Sequence, residues 1–401
     1  MSLKGKVAIA GIGDTDYAAD YAASREEETR RALPSESAGY AIRALRHALA
    51  DAGLDKSDLD GLVVGPTLAY ERTAELAGLD VRWAAQADAA HAIIEAATAI
   101  SAGLASCVAL VYGNNQRTAG VQYGGPRAAS GQAHRAYVYY APWGLTSQGG
   151  LYALMANRYF QLYGIKPADF GQLAVQQRAF AAQNPRAVRR EVITTEDYLA
   201  APYVVEPLRL LDYCMVNDGG VALILTSAER AAQLAKPPVI IDGVGWSDLN
   251  DGATSLAPRF RDFYHSAHRQ AADQVYAMAG CGPGDIDCVQ IYDSFSCHTL
   301  FALEGFGFCD EGEALTYLST DAAPPVNTSG GHLSESYMQG WNHQVEAVRQ
   351  VRGEAGGRQV EGARIGMTHV VGAGSEWGAN ENFAFEFGYI RGLIQAEKHL
   401  V

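Results

Sequence analysis

No stretch of this 401-residue sequence approaches the ~20 consecutive apolar residues that span a bilayer. Positive charge is scarce too, with 31 Lys and Arg against 45 Asp and Glu and a formal charge of −14. That balance excludes the clustered basic surface with which proteins hold nucleic acid or an anionic membrane. The first residues, MSLKGKVAIAGIGDT, lack the apolar core of a signal peptide and run straight into a predicted strand, so a soluble cytoplasmic protein is expected. Cysteine is sparse: Cys107, Cys214, Cys281, Cys288, Cys297 and Cys309 show no tight metal-ligand spacing. No metal is expected on this chain, and the thiols read as buried and reduced. AGIGDT and GVGWSD each fall short of the full G-x-G-x-x-G pattern, which leaves strand-to-turn transitions rather than a nucleotide loop. What the sequence does have is 48% hydrophobic residues, enough for a large core spread over two or three domains.

An internal repeat organises the chain. Ala52–Val64 reads AGLDKSDLDGLVV and Ala279–Ile291 reads AGCGPGDIDCVQI. Each copy places an amphipathic helix (Ala41–Ala50, and about 267–279) before an Ala-Gly stop, an Asp-x-Asp turn and an apolar run typical of a buried parallel strand. A second pair follows: a small-residue helix and a strand ending at Gly113, then a helix from about His343 and a strand ending at Gly372. Helix–strand alternation of this length predicts an α/β protein with largely parallel sheets covered by helices. Its halves are residues 1–115, completed by a strand within about 218–235, and residues 236–401. Residues 116–217 form an inserted cap with helical patterns at Leu151–Tyr163 and Pro167–Asn184.

Four segments, VAIAGIGDT, DAGLDKSDLDGLVVG, PLRLLDYCMVNDGGVALILTSAERA and PVNTSGG, occur in an order that resembles the sterol-carrier-protein type of thiolase along nearly the whole chain. The resemblance implies the thiolase fold: two duplicated βαβαβαββ halves building a five-layered αβαβα core, an inserted loop domain, and a homodimer. Thiolases carry a nucleophilic Cys at the start of the small-residue helix, a His in Gly-His-Pro, and a second Cys in the last Gly-rich turn. Alignment of that helix through Ala92, Ala96, Ile100 and Gly103 puts Gln86 at the nucleophile position, and an amide cannot form an acyl-enzyme. Tyr337 stands where the His belongs and Val370 at or near the second Cys, while Tyr292 in YDSFS replaces the His or Asn of the thioester-oxygen site.

Two tyrosines at active-site positions resemble one branch, the lipid-transfer-protein-like aldolases of bacterial steroid side-chain degradation. That resemblance implies retro-aldol cleavage of a β-hydroxyacyl-CoA, a steroid 17-hydroxy-20-carboxyl-CoA, to a ketone and propionyl-CoA. It also implies a small OB-fold, zinc-ribbon partner in a heterotetramer, with zinc only in that partner and coenzyme A present as substrate thioester. Such a reaction needs a base, an acid and a stabilised thioester enolate, but no covalent nucleophile. Tyr292 and Tyr337 are the candidate acid–base pair, with the division between them open. Backbone N–H groups near Gln86 and Gly372 are candidate oxyanion donors, and His332 is a further site candidate. Asp293 follows Tyr292 but is expected on the opposite face of the strand, and His298 reads as structural. The aromatic stretch Tyr123–Trp143 could wall a flat apolar ligand, and Arg135, Arg158 or Arg178 could meet coenzyme A. Two other readings stay open: a non-catalytic acyl-CoA or lipid binder or scaffold subunit, and a Claisen-type enzyme using Cys297.

Overall fold

The computed structural model describes residues 3–121, 141–145, 147–248, 261–373 and 387–397. Its strands are β1 (Val7–Asp14), β2 (Gly61–Val64), β3 (Trp83–Gln86), β4 (Cys107–Asn115), β5 (Tyr203–Val205), β6 (Leu208–Arg209), β7 (Asp218–Ser227), β8 (Val239–Asp248), β9 (Cys288–Ile291), β10 (Ile365–Ala373) and β11 (Phe387–Glu397). Helices of eight residues or more are α1 (Ser37–Ala52), α2 (Tyr70–Ala77), α3 (Ala89–Ser101), α4 (Gln148–Tyr163), α5 (Gln172–Ala182), α6 (His265–Ala279), α7 (Cys297–Gly305) and α8 (Trp341–Arg352). Among the described residues, no helix is long and apolar enough to cross a membrane.

The repeat is visible in the fold. α1, the turn at Lys56–Asp58 and β2 are matched by α6, the turn at Pro283–Asp285 and β9. Gly53 and Gly280 end the two helices at φ 69° and 71°, a left-handed conformation that costs glycine nothing. β2 pairs in parallel with β4, as β9 does with β10, and β4 and β10 each pair antiparallel with a following strand, β7 and β11. One nine-stranded sheet results, in the order β3-β2-β4-β7-β1-β8-β11-β10-β9. Its halves meet at β1 and β8, where the pairing is short: Ala8 with Ile240 and Ile9 with Val239.

Helices separate into layers according to their surfaces. α1 packs on β1, β4 and β7, and α6 on β8 and β11, so both lie outside. α3 and α8 touch strands of both halves and each other, and so form the middle layer. For α3 this follows from composition: AAHAIIEAATAIS is small and apolar, and seven of its residues are buried. In the cap region, α4 starts three residues before the predicted Leu151, and the Pro167–Asn184 pattern divides at Gly171 into a short turn of helix and α5. The strand expected at Gly220–Thr226 is β7, between β1 and β4.

The halves differ at one edge. In the first, β3 pairs with β2 over four residues, Gly61–Val64 against Trp83–Gln86. In the second, the equivalent pairing shrinks to a single bridge, Val289 with Val326. There the side chain of Asn327 takes over, accepting from Ile291 N at 2.6 Å and donating to Ile291 O at 3.0 Å. The chain then leaves the sheet through left-handed Asn327 (φ 52°), Gly330 and Gly331, and the residues that would continue an edge strand fold inward.

Candidate active site

β9 ends at Ile291, so Tyr292 emerges at the carboxyl edge of the sheet, its N–H bonded to His369 O of β10. Ligand sites of open α/β sheets collect at that edge. Tyr337 arrives from the inward-folded segment. Its N–H donates to Asn217 Oδ1 at 2.9 Å and its carbonyl accepts from Asn114 Nδ2, so the end of the cap and the first half together grip its backbone. The two phenol oxygens lie 2.9 Å apart. Tyr337 Oη also donates to Gln339 Oε1 at 2.9 Å, which leaves Tyr292 as donor in the bond between the hydroxyls. Both rings are buried. Burial pushes the Tyr292 phenol well above its ordinary value, against a smaller downward pull from the Tyr337 hydrogen bond, so it is neutral at neutral pH.

His332 lies under both rings, edge-on, with centroids 4.8 Å from Tyr292 and 4.9 Å from Tyr337. Burial, aided by His343, lowers its pKa to about 3. Its Nε2 faces Gly340 N at 3.0 Å and Asn342 Oδ1 at 3.2 Å, and its Nδ1 lies 3.4 Å from Asp293 Oδ1. Asp293 Oδ1 also accepts from His332 N at 2.9 Å and faces His343 Nε2 at 3.1 Å. Burial alone would raise this carboxyl, but the His343 hydrogen bond and the two imidazoles hold it below the ordinary carboxylate range. Gly331 is required here: at φ 58°, a Cβ on it would meet Asp293 Oδ2 at 2.3 Å. Asp293, His332 and His343 offer ligand atoms within 4.8 Å of one another, the one such set among the described residues. All three are fully buried, and two of their mutual contacts are at hydrogen-bond distance.

A further group lies on the other side of the tyrosines. Asp88 precedes α3, and its sequence position reads as an ordinary helix cap. Its carboxylate turns away from that duty. Oδ1 accepts from Trp341 Nε1 at 2.8 Å. Trp341 opens α8, is fully buried, and stacks on Tyr112 with ring centroids 5.7 Å apart. Burial raises the Asp88 pKa to about 7, against the opposing hydrogen bonds. Asp88, Gln339 and Trp341 carry no sequence signal of function: the first resembles a cap, and the others surround a Gly in an unremarkable turn.

The structure therefore brings Tyr292, Tyr337 and His332 together, with Asp293 one layer behind. Gly372 lies at the carboxyl end of β10, backbone-paired with Tyr389 and on the same edge as Tyr292. Gln86 requires correction. It ends β3, is exposed, and donates to Leu68 O at 2.7 Å. The residue that opens the helix is Ala89, at φ 34°. Register taken from small residues within the helix displaced the start by three positions; a methyl group stands there in any case, so no nucleophile is restored. His298 is buried beside Tyr292, with a ring distance of 5.8 Å and a pKa lowered to about 3 by burial. Cys297 is buried, which drives its thiol well above the ordinary range and away from the reactive thiolate. Arg178 is taken up internally by Ser334 Oγ and Glu191 O, whereas Arg158 is exposed on α4. Arg135, Tyr123 and the aromatic stretch through Tyr140 lie outside the described residues; Trp143 beyond them is 87% exposed.

Known proteins resemble this chain in sequence and in fold. Residues 252–377 match the family described as thiolase C-terminal domain-like. The chain is 35% identical over 375 residues to a steroid side-chain-cleaving aldolase of Thermomonospora curvata, covering 88% of this chain and 91% of that one. It is 34% identical over 382 residues to the 17-hydroxy-3-oxo-4-pregnene-20-carboxyl-CoA lyase of Mycobacterium tuberculosis, covering 88% and 92%. Among solved structures, the Ltp2-ChsH2(DUF35) aldolase superposes with a TM-score of 0.84 at 31% identity over the full length of both chains. The duplicated halves and the αβαβα layering are the thiolase fold, and the chain belongs to the steroid side-chain-cleaving aldolase family within the thiolase superfamily.

Proposed function

We propose that this chain is a carbon–carbon lyase that cleaves a β-hydroxyacyl-CoA by retro-aldol reaction through Tyr292 and Tyr337. The observation that carries this reading is the 2.9 Å contact between two buried phenol oxygens. Retro-aldol cleavage moves one proton from the β-hydroxyl oxygen to the carbon next to the thioester carbonyl. The O–H electrons form the ketone, the breaking C–C bond supplies the thioester enolate, and that enolate takes up the proton. Hydrogen-bonded neutral phenols can carry this without a free phenolate: one oxygen accepts the substrate proton while the pair releases another to carbon. The raised pKa of the Tyr292 phenol therefore suits the reaction. Backbone N–H groups at the start of α3 and at Gly372 stand at the edge where the thioester oxygen would lie, and they are the proposed oxyanion donors.

The substrate proposed is a steroid 17-hydroxy-20-carboxyl-CoA, giving a 17-ketone and propionyl-CoA; the named activity of the Mycobacterium tuberculosis relative supports it. No cofactor is needed on this chain. A homodimer that recruits a small OB-fold, zinc-ribbon chain in the cytoplasm completes the reading, in keeping with the two-component name of the structural relative. The test is incubation of the chain, alone and with such a partner, with the β-hydroxyacyl-CoA. Equal amounts of ketone and propionyl-CoA are expected. Binding without turnover in both preparations would favour the non-catalytic acyl-CoA binder.

A further inference from the structure

The cap brings two arginines to the segment that carries Tyr337. Val188 N donates to Glu335 O and Arg189 N to Ser334 O, both at 3.0 Å, so residues 188–189 run beside 334–335. The Arg189 side chain turns back on the same segment, with Nη1 3.4 Å from Leu333 O. From α5, Arg178 reaches Ser334 as well, donating from Nε to its Oγ at 3.0 Å and from Nη1 to Glu191 O at 3.1 Å. Two guanidinium groups thus meet the Leu333–Ser334 stretch, which ends three residues before Tyr337, a gap that the chain spans in at most ~11 Å.

What these arginines lack is a counter-charge. Elsewhere in this acidic chain, largely buried arginines face carboxylates: Arg349 with Asp14 at 2.7 Å, and Arg352 with Asp51 and Arg358 with Glu346, both at 2.8 Å. Among the described residues, no carboxylate lies at ion-pair distance from Arg178 or Arg189, although Arg178 is buried and Arg189 half-buried. Burial lowers the pKa of both, and the Arg189 charge pushes that of Arg178 further down, to about 10, with Glu191 opposing it less. Like charges drawn out of water with no anion beside them are costly. Neither side chain has a nitrogen that is buried without a partner, so the donors left unused by the protein face outward. Each guanidinium carries five N–H donors in a flat fork that matches the oxygens of a phosphate.

We propose that Arg178 and Arg189 form an anion site for a phosphate of the coenzyme A arm, with Arg189 as the group that touches it. The site rests on the acyl-CoA substrate proposed above. In an acyl-CoA the flexible pantetheine chain separates the thioester from its nearest phosphate. A phosphate site therefore belongs a short way outside the reacting atoms, and the Leu333–Ser334 stretch stands in that relation to Tyr337. Arg178, tied to Ser334 and Glu191, supplies charge from behind. Arg189, with one long bond to Leu333 O, keeps an edge of its fork for two parallel N–H···O bonds. The diphosphate and the 3′-phosphate of coenzyme A share this chemistry, and truncated ligands tell them apart.

The test uses the full chain with any required partner, and pairs isothermal titration, which needs no turnover, with cleavage kinetics. The probes are coenzyme A, 3′-dephospho-coenzyme A, 4′-phosphopantetheine and pantetheine. Wild type should lose roughly tenfold to a hundredfold in affinity where the bound phosphate is removed, at the first truncation for the 3′-phosphate and at a later one for the diphosphate. Arg189→Met keeps the apolar stem and should abolish that step, with affinity for pantetheine unchanged. Its melting temperature should stay at or above wild type, because an uncompensated charge has gone. Arg189→Lys should restore part of the step. In cleavage, Arg189→Met should raise KM for the β-hydroxyacyl-CoA by a similar factor with kcat nearly unchanged, and leave KM for the matching pantetheine thioester as in wild type. Affinity indifferent to the phosphates, or a phosphate step that Arg189→Met leaves intact, overturns the anion site alone if ketone and propionyl-CoA still form. So does a lowered melting temperature with all four probes weakened equally, which is the mark of a structural arginine. A wild type that binds no coenzyme A and cleaves nothing overturns the lyase reading and the anion site with it.

Discussion

The middle helices of the two halves, α3 and α8, occupy equivalent places and have opposite characters. α3 is alanine-rich, and the interior on the other face of its sheet is a cluster of Ala, Leu, Val, Ile and Cys side chains around Leu62 and Val64. α8 buries Asn342, His343, Gln344, Glu346 and Gln350, and the segment before it buries Asn327, Thr328, Ser329, His332, Ser334, Glu335 and Ser336. The first half keeps a full edge strand in β3, whereas the second reduces it to one bridge and gives the released residues to a polar network. A duplicated fold can thus hold one copy as scaffold and rebuild the other as chemistry. Part of the cost of burying polar groups is met by hydrogen bonds among them, as at Glu346, Thr328 and Gln350.

The sharpest break between the halves is expected at the tyrosines. Phe at Tyr292 or Tyr337 should lower kcat by ~10²–10⁴-fold while leaving the melting temperature near wild type. The double variant should be little worse than the poorer single one, because groups acting as a unit are non-additive. Steady-state kinetics beside thermal melts check both statements, and near-wild-type cleavage by either variant removes that residue from the chemistry.

Next in size are effects on stability. Glu346 is fully buried and bonded to Arg358 Nη2 at 2.8 Å, Thr328 Oγ1 at 2.8 Å and Gln350 Nε2 at 2.9 Å. Glu346→Ala strands the Arg358 charge and should cost about 3–5 kcal/mol. In the first half, Leu62→Ala should cost about 2–5 kcal/mol through a cavity instead. Chemical denaturation of each variant beside wild type checks both penalties.

Acid sensitivity belongs to the second half as well. His298 and His332 have pKa values lowered to about 3, and His369 is also lowered, all chiefly by burial. Their unfolded forms take up protons below pH 6.5 while the folded forms stay neutral. The stability they contribute is therefore complete above pH 6.5 and is lost as pH falls toward about 3, at up to ~1.4 kcal/mol per pH unit for each histidine. Asp88, with a raised pKa, acts oppositely, costing stability as pH rises from 3.8 to about 7. Denaturant titrations at pH 4, 5.5 and 7 should show a net loss on the acid side. Replacing His298 with a neutral residue of similar size should flatten it. The smallest effect is expected at Gln86, where Ala should change stability by no more than about 0.5 kcal/mol and leave cleavage near wild type.

Much of this was readable before any coordinates. The two helix–turn–strand units follow from Ala-Gly, Asp-x-Asp and an apolar run, and β9 spans the predicted Cys288–Ile291. Tyr292 and Tyr337 were reachable because motif positions survive when residues change. The Asp88–Trp341 bond was not legible: a carboxylate before a helix reads as a cap, and only the packed Trp341 redirects it. The Gln86 register failed for a related reason. A run of alanines repeats too regularly to mark where a helix begins, and the first residue of α3 is set by the backbone turn at Ala89.

The central claim is that a proton-transfer pair stands where thiolases use a covalent nucleophile. Intact-mass spectrometry of the chain, quenched during steady conversion of the β-hydroxyacyl-CoA, tests it most directly. The account predicts an unmodified protein mass while ketone and propionyl-CoA accumulate together. An acyl adduct on the chain, on Cys297 or any other residue, formed at a rate that matches turnover would contradict it.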